Sequence, residues 1–102
     1  MASILIGSVP IHGHVTPLLG VARHFAARGD RVRFLTGARF ADPVSATGAE
    51  HLPLPADADF DDRVPPDETY PERAALKGRR AVAFDIEHIF VRPARPQYDA
   101  LR

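Results

Sequence analysis

The stretch SILIGSVPIHGHVTPLLG, residues 3–20, decides how this chain folds. Over residues 3–9, Ile4, Leu5, Ile6 and Val9 leave hardly a polar side chain, the pattern of a strand buried on both faces of a parallel sheet. Beyond it, Val15, Leu18, Leu19, Ala22, Phe25 and Ala26 recur at spacings of three and four, which lays one apolar stripe along a helix over residues 14–28. Gly29 is placed to end that helix in the left-handed conformation. His14 stands where the strand hands over to the helix, the region in which open α/β sheets bind ligands. Proline is tolerated in a first helical turn, so Pro17 leaves two starts: Thr16 as N-cap, or a helix opening near His14 itself. In both, the imidazole lies beside the positive end of the helix dipole, which disfavours the imidazolium and keeps a nitrogen free to accept a proton. A general base needs that condition.

Working outward, Arg31, Val32, Arg33 and Phe34 alternate and read as a second strand over residues 31–36 with Val32 and Phe34 inward. Strand, helix and strand make one βαβ unit, expected to cross over with the right hand. Between Gly37 and Gly48, Phe40, Val44 and Ala46 suit a short helix, and His51, Leu52, Pro53 and Leu54 a brief third strand. Residues 53–71 hold five prolines and six acidic side chains, the composition of an exposed, mobile loop. Helical spacing returns in Leu76, Val82, Ile86, Ile89 and Phe90, a helix over residues 76–92, and Pro93 and Pro96 kink it before Tyr98 and Leu101. The fold class is α/β: an incomplete Rossmann-like parallel sheet with flanking helices. Two or three parallel strands ending on a helix leave apolar surface uncovered, so a fragment, or a piece completed by another chain, is expected.

The whole chain, 102 residues with 45% hydrophobic and 25% charged side chains, has the composition of one small globular domain. Thirteen basic and thirteen acidic residues cancel, so no net field draws it to nucleic acid or to an anionic membrane. The absence of cysteine excludes disulfides, thiolate nucleophiles and cysteine metal sites, and suits a cytoplasmic setting. Residues 1–3 run straight into a strand without the basic segment of a signal peptide, and no stretch is long enough to span a bilayer. The turn from Gly7 to Gly13 lacks the GxGxxG spacing of a dinucleotide site. His12 and His14, one glycine apart, have no cysteine or acidic cluster to complete a metal-ligand set. His24 is expected to face solvent, His51 and His88 to occupy surface or loop positions, and Arg79 with Arg80 to form a solvated helix face.

The run Ile4-Leu5-Ile6 and Pro10, then Gly13-His14-Val15-Thr16-Pro17-Leu18-Leu19 and Ala22, then Ala27-Arg28-Gly29-Asp30-Arg31-Val32, Phe34 and Thr36, resembles the front of a known family. It is similar to the amino-terminal segment of GT-B fold glycosyltransferases that transfer sugars from UDP- or TDP-sugars to small lipophilic acceptors, the natural-product and macrolide type. The resemblance implies that His14 is the catalytic base, taking the proton of an acceptor hydroxyl as its oxygen attacks the anomeric carbon. Inversion follows from such a direct displacement. It also implies an aspartate that orients the imidazole, on a strand expected beyond Arg102, and a sugar-nucleotide pocket in a carboxyl-terminal domain. Neither Asp85 nor Asp99 takes that role by resemblance, since both lie on or near the last helix. The nucleotide-sugar is a co-substrate, and no cofactor or metal is implied. Acceptor contacts in such enzymes point loosely to His12, Phe84, His88 and Ile89. The chain alone is expected to be inactive.

Two other classes compete. A lipid-linked sugar transferase of the same fold also carries Gly-His on this turn, but with a glycine-rich approach that Ser8, Val9, Pro10 and Ile11 lack. A non-enzymatic domain would bind a lipophilic ligand or a partner chain, or self-associate, through its unfinished sheet.

Overall fold

A computed structural model describes residues 1–101. Three parallel strands, β1 (Ser3–Gly7), β2 (Arg31–Thr36) and β3 (Glu50–Pro53), form a sheet of order β1-β2-β3. Helix α1 (His12–Ala27) connects β1 to β2. A 3-10 turn (Ala38–Phe40) and helix α2 (Ala41–Ser45) connect β2 to β3. The register pairs Ile4 with Val32, Leu5 with Arg33 and Ile6 with Phe34, then Phe34 with His51 and Leu35 with Leu52.

Because side chains alternate along a strand, this register collects Ile4, Ile6, Val32 and Phe34 on one face. The α1 stripe packs there: Val15 and Ala22 are fully buried with Phe34, Phe40 and Val44, and Leu18, Leu19, Phe25 and Ala26 pack against them. On the opposite face Leu35, Leu54 and Ala58 form a smaller cluster with Leu52. Helix α1 ends as its sequence requires. Gly29 takes φ +86°, its N–H donates to the Ala26 carbonyl, and the Asp30 N–H donates to that of Phe25, the paired bonds of a Schellman motif.

Strand β1 departs from expectation. It stops at Gly7 rather than residue 9, and it is not buried on both faces: Leu5 is 42% exposed. Strand order supplies the reason. β1 pairs only with β2, and the apolar cover on the Leu5 face gathers over β2 and β3.

Residues 53–71 also differ from an exposed, mobile loop. Leu54 and Ala58 are buried, and the Asp59 carboxylate accepts the Ala38 N–H at 3.1 Å, tying the segment to the carboxyl end of β2. Helix α3 (Pro66–Thr69) and a 3-10 turn (Pro71–Ala75) follow. The expected helix over 76–92 begins later, because Leu76 is extended and Gly78 lies outside helical space at φ +58°. It is two segments, α4 (Arg79–Asp85) and a π-helical stretch (Ile86–Val91). Its stripe is not core, since Val82, Ile86 and Phe90 are all exposed. Helix α5 (Ala94–Leu101) follows, and its Gln97 and Leu101 line a cavity with Gly7, Ser8 and Val9.

Candidate functional site

The site grows from the β1–α1 junction. Ile11 is extended (φ −117°, ψ 129°), and its carbonyl accepts the amides of His14 and Val15, both at 2.9 Å. The helix therefore starts at His12, ahead of both starts that Pro17 suggested. Pro17 lies inside the helix, where its missing N–H leaves the Gly13 carbonyl without its i+4 donor. Ile11 has no polar side chain to cap the helix. The cap comes from elsewhere: Asp62 Oδ2 accepts the His12 N–H at 2.7 Å, and Asp62 Oδ1 lies 3.0 Å from Arg39 Nε. A carboxylate at a helix amino terminus meets both a free amide and the positive end of the dipole.

His14 thus occupies the first turn of α1. Val15 turns inward and is fully buried, while His14 faces out. Its imidazole is tilted beside the Phe90 ring, centroids 6.0 Å apart and planes 39° apart. Both rings line an open cleft of about 530 Å³ with Gly7, Ser8, Val9, Pro17 and Leu18. The cleft sits at the carboxyl end of β1.

Among the described residues no carboxylate bonds to the His14 imidazole. Asp85 is held by Arg73 through bonds of 2.6 and 2.8 Å, and Arg73 also reaches Asp67 at 2.9 Å. The Arg73 guanidinium keeps the Asp85 carboxyl below the ordinary carboxylate range. Asp99 is bound by Arg95 at 3.1 and 3.2 Å. Among the described residues no group of three or more His, Cys, Asp or Glu side chains is placed to hold a metal ion. None of their helices is long and apolar enough to cross a membrane.

The four acceptor candidates divide. Ile89 lines an apolar pocket of about 200 Å³ with Ile11, Phe60, Val64 and Tyr70. His12 is exposed on the first turn, its Nε2 3.4 Å from Thr16 Oγ1. Phe84 and His88 stack at 3.7 Å, and Tyr70 meets both edge-on at 5.5 and 5.0 Å. His88 is therefore not a surface or loop residue: it is 9% exposed, and its Nδ1–H donates to the Phe84 carbonyl at 2.9 Å. His51 is not in a loop either. It is half-buried on β3, with Nε2 at 3.1 and 3.2 Å from the carbonyls of Thr36 and Gly37. His24 faces solvent, as do Arg79 and Arg80.

Sequence alone singles out none of Phe90, Asp62 and Tyr70: the first belongs to an apolar stripe, and the other two to the one loop rich in proline and acidic residues. The i, i+4 spacing of Phe84 and His88 was the one local signal that their rings would meet.

No protein-family model matches the chain. Its sequence is 36% identical to 4'-demethylrebeccamycin synthase of Lentzea aerocolonigenes, over 94% of the chain and 23% of that protein. It is 31% identical to UDP-glucosyltransferase B1 of Starmerella bombicola, over 97% of the chain and 23% of that protein. It is 46% identical to oleandomycin glycosyltransferase of Streptomyces antibioticus, over 57% of the chain and 15% of that protein. The fold superposes on the crystal structure of CalG4, the calicheamicin glycosyltransferase, with a TM-score of 0.66 and 27% identity, covering 97% of this chain and 22% of that one. The chain matches the amino-terminal part of a GT-B glycosyltransferase. It spans under a quarter of the length of these relatives. The expected α/β architecture and the expected resemblance to natural-product glycosyltransferases both hold. The cleft at His14 opens at the strand end where α/β folds take their ligands.

Proposed function

We propose that this chain is the acceptor-side front of an inverting glycosyltransferase that moves a sugar from a nucleotide-sugar to a hydroxyl of a small lipophilic acceptor, with His14 as general base. One observation carries the reading: an exposed imidazole on the first turn of α1, opening onto a cleft at the carboxyl end of β1. An unprotonated ring nitrogen takes the acceptor hydroxyl proton while the hydroxyl oxygen forms its bond to the anomeric carbon. The bond from that carbon to the diphosphate oxygen breaks on the opposite face, and the nucleoside diphosphate leaves with the electron pair. Base assistance of this kind contributes on the order of a hundredfold to ten-thousandfold in rate.

The apolar pocket beside Ile11 and Ile89 suits the lipophilic part of an acceptor, and exposed His12 lies on the same helical turn as His14. Phe84 and His88 back this wall through their edge contacts with Tyr70. The orienting aspartate and most of the donor site belong, on this reading, to parts of the enzyme other than residues 1–102. The chain alone then does not turn over. A cytoplasmic setting fits the lack of cysteine. Names such as oleandomycin glycosyltransferase and UDP-glucosyltransferase among the relatives favour transfer over a pure binding role. The anomeric configuration of the product, read by NMR in the complete enzyme, tests the displacement. Inversion is expected, and retention overturns it.

A further inference from the structure

Helix α4 does not continue as an α-helix. From Ile86 to Val91 the backbone is π-helical, and the Arg92 N–H donates five residues back to the Glu87 carbonyl at 2.8 Å. Within this stretch, His88 Nδ1–H donates to the Phe84 carbonyl, the acceptor that an α-helix assigns to the His88 amide. The stack of His88 on Phe84 and the edge contacts of Tyr70 hold the imidazole in place.

The register change sets what the next residues face. Ile89 lines the apolar pocket with Ile11 and Tyr70, and Phe90 lines the other cleft, against His14. Consecutive side chains of one turn so serve two cavities on either side of the start of α1. Phe90 is 42% exposed and belongs to neither buried cluster, so core packing does not account for its place. Among the described residues, its one ring contact is His14.

We infer that Phe90 is a positioning residue for His14: the π turn built around His88 holds the Phe90 ring against the imidazole and limits the orientations it adopts toward the cleft. The inference rests on His14 being the base. An aromatic pair at this separation biases an orientation by roughly two- to tenfold. Phe90 exchanges no proton and touches no reacting atom.

Two measurements test it separately from the base assignment. In the complete enzyme, Phe90→Leu keeps the apolar volume and removes the ring, and it should lower kcat by roughly two- to tenfold with the KM for the nucleotide-sugar unchanged, while Phe90→Tyr restores the rate. The His14 Cε1–H resonance should move in Phe90→Leu through loss of the ring current and return in Phe90→Tyr, whatever the enzyme's rate. Wild-type kcat in Phe90→Leu with an unmoved His14 resonance overturns the inference. If His14→Ala stays active while Phe90→Leu, with His14 in place, moves the His14 resonance, the base assignment is overturned and the contact stands without a catalytic role.

Discussion

Asp62 Oδ2 accepts the backbone N–H of His12 at 2.7 Å across fifty residues of sequence, so the loop after β3 caps the helix that carries His14. Removing a cap of this kind costs about 0.5–2 kcal/mol. Asp62→Ala should lose about 1 kcal/mol in urea unfolding. Asp62→Asn, which retains an acceptor oxygen but not the charge facing Arg39, should lose less. Equal stability of Asp62→Ala and the parent would mean that the contact does not hold the helix start.

Gly37 and Gly20 make opposite predictions from the same substitution. A Cβ at Gly37, just after β2, would come within 2.5 Å of both Pro10 Cβ and Asp59 Oδ1. Asp59 can swing away, but the Pro10 ring is fixed to its backbone and fully buried. Gly37→Ala should therefore destabilise by about 1–3 kcal/mol. Gly20, exposed inside α1, meets nothing within 4 Å, so Gly20→Ala should stabilise by about 0.5–1 kcal/mol. Urea midpoints of the two variants check both signs.

Acid should loosen two arginine–carboxylate contacts, Arg73–Asp85 and Arg63–Asp61, in a defined window. Arg73 holds the Asp85 carboxyl below its ordinary value of 3.8, and hydrogen bonding to Arg63 lowers Asp61 to about 2. A carboxylate depressed on folding contributes stability that is present above the unfolded value and is lost as pH falls through the folded one. The contributions are therefore complete at neutral pH and decline below about 3.8, for Asp61 down to about 2. Solvent screening keeps both small. In Asp85→Asn the acid limb of stability against pH should be shallower than in the parent, and an unchanged limb would remove Asp85 from the account.

Calorimetry of the chain itself with UDP-glucose should show no heat of binding. Clear micromolar binding would place the donor site within these residues.

The β1–α1–β2 unit was legible because its information is local: apolar spacing in α1, alternation in β2 and a glycine at the turn. The exposure of Leu5 was not, since it depends on which strand lies beside β1, and strand order is not written in the periodicity of any one strand. The 53–71 segment read as mobile because prolines and acids mark loops. What anchors it are Asp59 and Asp62, whose partners are backbone amides 21 and 50 residues away. Phe90 was hidden by a register change. An α-helical count extends the stripe through Val82, Ile86 and Phe90, while the backbone from Ile86 to Val91 is π-helical and carries the Phe90 ring to His14. The place of His14 at the strand–helix junction was legible because the end of one apolar pattern and the start of the other flank it.

The central claim is that the His14 imidazole takes the acceptor proton, and the rate of sugar transfer by His14→Ala in the complete enzyme, measured beside its nucleotide-sugar affinity, tests it most directly. The account predicts a loss on the order of a hundredfold to ten-thousandfold in kcat with donor binding unchanged. Turnover within a few-fold of the parent would contradict it.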